Sequence, residues 1–470
     1  MWLWLWVAVA SAARPTSGGM FAFSEEDVLA TYEESSGRVR VTFSTEGPNR
    51  VRAGDVDADG TPDFAQDVAE TAAEVLDRYA ELGFRTPLSE ADMGLESLGG
   101  SSAFDFYLVD FGGSADGYFG TDACTDAPRH CSGFMVMEND FAGYGYPSTH
   151  EAIAVLTSHE LFHAVQSAYD AGSPGWFSEG TAVWAERQFD EDVLDFFWFA
   201  DAYLEDSGRS LDRPPTGPVP AFAYGTALWW DFLTLRHDPS WMVDMLEAVE
   251  SPDGAEVDYV EAMLETLEAR GDAIAPAWTT FADENLATGD RAGTMVSVYP
   301  YAARLSGVEP AASGASIDED HRFYPLAASY FHLEHPGGPV AFAAERDAES
   351  VRFLLHPVVG NAEDGPVADD IARFAAIRER VDLGDLPAGG YWLVGTHAAV
   401  AQNSEKFRFC LGSPAMVAAC FPEGAGVAEG ESPEVAGCGC AAGGSGAGWG
   451  LAGAGMALGA WTRRRRSAPA

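Results

Sequence analysis

The stretch Ser158 to Glu186, SHELFHAVQSAYDAGSPGWFSEGTAVWAE, constrains this chain more than any other, because it sets two histidines four apart on one predicted helix and a glutamate early in the next. Residues four apart share a helix face, so His159 and His163 can offer two imidazole nitrogens to one metal while Glu160 sits beside an open coordination position. Pro147-Ser148-Thr149 supplies a helix start, and Ile153, Leu156, Leu161, Val165 and Ala168 give that helix apolar positions to bury. Gly172-Ser173-Pro174-Gly175 then breaks the chain, and a new element opens at Trp176. A catalytic zinc takes three protein ligands and keeps a fourth position for water, and Glu179 is the natural third ligand.

At these residues the chain resembles the gluzincins, in particular their aminopeptidase N-like branch, where HExxH is followed by a W-x-x-E-G-x-A-x-x-x-E pattern, here WFSEGTAVWAE. The resemblance implies a zincin-like catalytic domain, zinc held by His159, His163 and Glu179, and Glu160 as the general base for the attacking water. It makes Glu186, seven residues past Glu179 and two turns along the same face, a supporting carboxylate. Only fifteen residues separate His163 from Glu179, fewer than that family usually has, so the connecting loop must be tight. The segment PAFAYGTAL (220–228) is similar to the aminopeptidase stretch whose tyrosine hydrogen-bonds the developing oxyanion, which assigns that role to Tyr224; aromatic packing at the head of a Trp-rich helix is the alternative. GFMVMEN (133–139) resembles the G-x-M-E-N strand that reads a free amino end, but is two residues longer. It is expected as a strand beside the cleft, with Glu138 as an amine anchor only in second place.

The formal net charge of −46, from 27 Lys and Arg against 73 Asp and Glu, argues against nucleic-acid partners, which need clustered cations. Such acidity favours solubility and can collect divalent cations. Asp55-Val56-Asp57-Ala58-Asp59-Gly60-Thr61-Pro62-Asp63 repeats carboxylates at alternate positions, turns at a glycine and leads into an amphipathic helix from about Phe64 to Leu82. Oxygen ligands around a glycine bend suit calcium. The spacing resembles EF-hand and dockerin-type loops, which implies Asp55, Asp57, Asp59 and Asp63 as ligands with the Thr61 carbonyl, although position twelve is Gln66 rather than a bidentate acid. A plain Asp-Gly turn capping the helix is the alternative.

At the amino end, Trp2 to Ala10 is an apolar run closing on Ala10-Ser11-Ala12, an A-x-A cleavage pattern without the usual basic start, so residues 1–12 are expected to be a signal peptide. At the other end, Cys438-Gly439-Cys440 precedes a short apolar stretch and Arg463 to Arg466. This resembles the MYXO-CTERM sorting tail, which implies export, reading by a membrane sorting protease and display on, or release from, the cell surface. An ordinary tail anchor is the alternative, and both place the body outside the cytoplasm. Of the remaining cysteines, Cys124 lies near Cys131 and Cys410 near Cys420, so two local disulfides are expected.

With 470 residues, 13 Trp and 28 Phe, the chain can fill more than one core. An α+β region with the calcium-like loop is expected over 20–145, with strands at Val39–Ser44, Phe104–Phe111 and Gly133–Met137. The helical part of the metallopeptidase domain follows over 146–290, with helices at Phe222–Leu235, Trp241–Val249 and Val257–Glu268. Short Gly- and Pro-punctuated segments, Tyr330–Leu333, Val340–Ala344, Val351–Leu355, Ile377–Leu383 and Tyr391–Gly395, predict a β-sandwich over 296–411. Its Leu386 to Trp392 run resembles bacterial pre-peptidase C-terminal modules. A linker (423–437) and the tail (438–470) complete the chain. The expectation is therefore an α+β zincin-like catalytic domain with a mainly helical second half, followed by a β-sandwich domain. Its function would be that of an exported zinc metallopeptidase acting on proteins or peptides, more as an endopeptidase than an aminopeptidase. A noncatalytic surface adhesion or matrix protein retaining the fold is the alternative.

Overall fold

The computed structural model describes residues 13–19, 21–213, 221–293, 297–357, 372–400 and 403–422. The expected signal peptide, linker and sorting tail, with Cys438 and Cys440, lie outside the described residues. No described helix is long and apolar enough to cross a membrane.

Five strands form the first sheet: β1 (Leu29–Glu33), β2 (Val39–Ser44), β3 (Phe104–Val109), β4 (Gly117–Cys124) and β5 (Cys131–Glu138), in the order β1-β2-β3-β5-β4. β2, β3 and β5 run parallel, and β1 and β4 close the two edges antiparallel. The side-chain period of two sorts the inner strands between two cores. Phe106, Leu108, Met135 and Met137 face the helices, while Tyr107, Val109, Phe134 and Val136 form a second cluster. The amino-terminal segment covers that second face with Phe21 and Phe23. It also inserts Arg14, 5% exposed, among Glu90, Asp105 and Asp122, with its guanidinium over the Phe134 ring. β4 and β5 are tied at their hairpin by the Cys124–Cys131 disulfide.

α1 (Asp63–Glu81) and α2 (Thr149–Ser167) lie on the helical side of this sheet. α2 starts where expected: the Ser148 side chain accepts from the Glu151 N–H at 3.1 Å, satisfying one of the free donors of the first turn. α3 (Gly175–Phe189), α4 (Leu194–Glu205), α5 (Ala221–Gly225), α6 (Ala227–Arg236), α7 (Ser240–Ala248), α8 (Tyr259–Ala269) and α9 (Ile274–Leu286) complete the helical half. Trp184, Trp229, Trp230, Trp241 and Trp278 are fully buried there. The single helix predicted over Phe222–Leu235 is interrupted at Thr226. Its hydroxyl bonds to the carbonyls of Trp176 and Ala223 at 2.6 and 2.8 Å, anchoring the chain to α3 at that point.

The last part holds two sheets, one of β11-β10-β13-β8-β6 and one of β12-β9-β14-β7, formed by β6 (Ala312–Gly314), β7 (Ile317–Phe323), β8 (Ala327–His335), β9 (Gly338–Ala344), β10 (Ala348–Pro357), β11 (Ala372–Ala376), β12 (Val381–Leu386), β13 (Gly389–His397) and β14 (Glu405–Gly412). Phe323, Phe331, Phe342, Phe353, Phe407 and Phe409 come from both sheets and share one core. α10 (Pro414–Cys420) is tied back to β14 by the Cys410–Cys420 disulfide. The strand predicted at Ile377–Leu383 is displaced: Ile377 to Arg380 connects β11 to β12, and the Arg378 N–H donates to Asp347 at 2.7 Å. The chain is thus mixed α/β, with several sheets. α9 joins its halves through Trp278 Nε1 to the Ala327 carbonyl at 3.2 Å and the Tyr330 hydroxyl to the Ala282 carbonyl at 2.8 Å.

Candidate metal centre

α2 is buried along most of its length, with His159 and Glu160 buried and His163 half-buried. α3 lies against it. The tight connection foreseen between His163 and Glu179 is held by Asp170, which accepts from the Tyr259 hydroxyl at 2.6 Å and pairs with Arg129 at 3.0 Å. Gly180 allows the close approach of the break between α5 and α6: a Cβ there would lie 1.9 Å from Thr226 Oγ1.

These contacts bring three donors together. Glu179 Oε2 lies 3.4 Å from His159 Nε2 and 3.6 Å from His163 Nε2, and one ligand atom from each residue falls within 4.8 Å of the others. Zinc bonds of about 2.0–2.1 Å at a tetrahedral angle place neighbouring ligand atoms about 3.4 Å apart, so the donor set fits that ion.

The far side of each imidazole is also fixed. His159 Nδ1 is 2.6 Å from Glu186 Oε1, and His163 Nδ1 is 2.9 Å from Gln166 Oε1. The Gln166 amide nitrogen donates to the Ser178 carbonyl at 2.9 Å and to Thr181 Oγ1 at 2.7 Å, which leaves only its oxygen to face His163. A neutral His163 must then carry its proton on Nδ1 and present a lone pair from Nε2 toward Glu179. Glu186, expected as a supporting carboxylate, thus faces His159 on the ring nitrogen turned away from Glu179. Gln166 was not foreseen, although its position three residues after His163, on the same helix face, is a readable signal.

The electrostatics follow from these neighbours. Burial alone would keep His159 neutral, but hydrogen bonds to Glu179 and Glu186 raise it well above the usual histidine range. His163 is likewise raised, burial being outweighed by Glu179. Burial pushes Glu179 upward, yet His163 and His159 hold its carboxyl far below the usual range. Glu160 is raised by burial, with His163 and His159 opposing. Tyr224 stacks on His159, with centroids 5.8 Å apart and planes at 25°. Burial and the Glu179 charge keep that phenol protonated.

Glu138 has its own hydrogen-bond partners at the far end of β5 from the Cys131 disulfide. It is 2% exposed at the end of β5, and its carboxylate accepts from the Tyr144 hydroxyl at 2.7 Å and the Phe111 N–H at 3.0 Å. β5 is an interior strand, and β4 holds the sheet edge beside it.

Asp55, Asp57 and Asp59 bring one carboxylate oxygen each within 4.8 Å of the others. Gly60 turns at φ 95°, in the left-handed region that favours glycine. Asp63 instead accepts from the Val56 N–H at 3.0 Å, and the Thr61 N–H donates to Asp59 at 2.7 Å. Gln66 contributes a donor, its amide nitrogen lying 2.9 Å from Asp59 Oδ2.

No family model matches this chain, and no curated protein matches it. Among solved structures it is similar to Aeromonas hydrophila PliG, described as a periplasmic lysozyme inhibitor of g-type lysozyme, at 18% sequence identity over 20% of this chain and 82% of that one. The TM-score is 0.16, a likeness that carries no argument about fold or function.

Proposed function

We propose that the chain is an exported zinc-dependent endopeptidase of gluzincin type, with a zincin-like catalytic domain followed by a β-sandwich. The observation that carries this reading is the convergence of His159 Nε2, His163 Nε2 and Glu179 Oε2, with Glu160 next to His159 on the same helix. Bound by these three residues, zinc supplies a Lewis acid that polarises a peptide carbonyl and acidifies water. Glu160 is the group that takes the proton of the attacking water and returns it to the leaving nitrogen. Among the described residues its carboxyl has no hydrogen-bond partner, and burial raises its proton affinity. Tyr224, stacked on His159, is the group that donates its hydroxyl to the developing oxyanion. Glu186 and Gln166 hold the two imidazoles in register.

The two disulfides agree with an oxidising compartment, which supports the export expected from the two ends of the sequence. For the loop at Asp55, Asp57 and Asp59 we propose calcium as a stabilising ion, since clustered carboxylates without a nitrogen or sulfur donor suit a hard cation.

The test is metal analysis together with cleavage of a diverse peptide library read by mass spectrometry. Wild type should carry one zinc and make internal cuts, and Glu160→Gln should retain zinc while losing cleavage. A folded, zinc-loaded wild type that cuts no peptide would favour the noncatalytic adhesion protein. Stepwise loss from amino ends would make it an aminopeptidase.

A further inference from the structure

Among the tryptophans of the described residues Trp198 stands apart: it is 62% exposed, while every other is at most 8% exposed. It sits on α4, which buries Phe196, Ala200 and Tyr203 on one side and leaves Leu194 and Trp198, four apart on another, exposed to solvent. A single exposed apolar side chain is ordinary and calls for no partner. Trp198, however, is the outer end of a row of rings that begins at the metal centre.

The row is continuous. Tyr224 stacks on His159 with centroids 5.8 Å apart, Phe199 stacks on Tyr224 at 4.7 Å with planes at 16°, and Trp198 packs on Phe199 at 4.6 Å. Exposure rises along it: His159 is buried, Tyr224 and Phe199 are half-buried, and Trp198 is exposed. The side chain of Glu179, 26% exposed, keeps the donor set itself open to solvent. The three spacings put the Trp198 ring no more than about 15 Å from that of His159. An extended peptide advances about 3.3–3.6 Å per residue, so Trp198 is within reach of side chains no more than about four residues from a bond cut at the metal. What the row offers there is uncharged ring surface, which associates with a further ring edge to face or offset-stacked.

We infer that Trp198, flanked by Leu194 and Phe199, determines specificity by receiving an aromatic side chain of the substrate close to the cut bond. This rests on the peptidase reading and deepens it by naming a substrate class.

The experiment uses the full chain and peptides that differ at one position as phenylalanine, cyclohexylalanine or alanine, moved in turn through every position within that reach. At the responsive position kcat/KM for the phenylalanine peptide should exceed that for the alanine peptide by about tenfold or more, the size expected from burying one ring. It should exceed that for cyclohexylalanine by about two- to tenfold, because the saturated ring packs without the aromatic contact. Trp198→Ala should bring the phenylalanine-to-cyclohexylalanine ratio to one, and Trp198→Phe should retain most of it. A wild type that cuts peptides with no such preference, or a preference that Trp198→Ala leaves whole, would overturn the assignment while leaving the peptidase reading intact. Binding is read apart from cleavage on Glu160→Gln, by acrylamide quenching of tryptophan fluorescence; the share of quenching lost on adding Trp198→Phe belongs to Trp198. The phenylalanine peptide should remove most of that share, and the alanine peptide at equal concentration far less. Equal shielding by both, or none by either, would overturn the assignment even if no peptide were cut. Shielding that appears without peptide and grows with protein concentration would mean that a second copy of the chain covers Trp198, and would overturn it as well.

Discussion

Around the first sheet and its helices the protein buries Arg14, Glu90, Asp105, Glu138, His159, Glu160, Asp170, Glu186 and Asp231, whereas the two facing sheets of the last part enclose a core made mainly of phenylalanine and leucine. Buried charge is expensive unless it is paired, so the first half carries a cost that the second avoids. Much of this cost serves geometry. Glu186 and Gln166 each hold one imidazole, and Arg14 holds three carboxylates drawn from β3, β4 and the turn at Glu90. The β half, with its apolar core, behaves as scaffold.

If this division is right, the largest effect will come from the smallest chemical change. Glu160→Gln should lower kcat by about 10²–10⁴-fold with zinc content and thermal stability preserved. A variant that instead lost metal or fold would make Glu160 structural and erase the contrast between the halves. Next in size is Arg14→Ala, which leaves Glu90, Asp105 and Asp122 buried without their cation and should cost about 3–5 kcal/mol in urea unfolding at pH 7. The pH dependence has a definite sign. Burial, with Arg14 opposing, holds Asp105 up at about 6, above its unfolded value, so its favourable contribution is present in acid and lost as pH rises through that range. Without Arg14 the shift grows, and the variant's deficit should be smaller at pH 5 than at pH 7. An equal deficit at both would show that Arg14 stabilises by packing on Phe134 and Tyr107 rather than by charge.

Glu186→Ala should weaken zinc affinity by about 10–100-fold without abolishing it, whereas Glu179→Ala should remove tight binding. The reverse order would exchange ligand and support. The β half offers the mildest test. His397 is fully buried and held below the usual histidine range by that burial. The stability it contributes is complete above its unfolded value of about 6.5 and is lost as pH falls through the depressed folded value. His397→Gln should flatten the acid side of the β half's melting profile; an unchanged profile would mean that its acid sensitivity arises elsewhere.

The convergence of His159, His163 and Glu179 was readable because helical spacing alone puts the two histidines on one face, and because Glu179 follows a break that Gly172 to Gly175 announce. β2 was readable to its ends, since Val39, Val41 and Phe43 alternate with polar residues. β1 and β4 were not foreseen: one is half-exposed on alternate residues, and the other mixes glycines with polar side chains. Both are sheet edges, where pairing to a single neighbour demands less of the sequence.

The distribution of tryptophan gives the two halves separate optical signatures. Five of these indoles are wholly buried among the helices, while the sheets from Ala312 to Gly412 contain Trp392 alone, at 8% exposure and beneath the guanidinium of Arg291. Intrinsic fluorescence will therefore report the melting of the helical half almost by itself. Trp392 clusters with the helical core rather than with the phenylalanines of its own strands, so its emission will follow the junction between the halves.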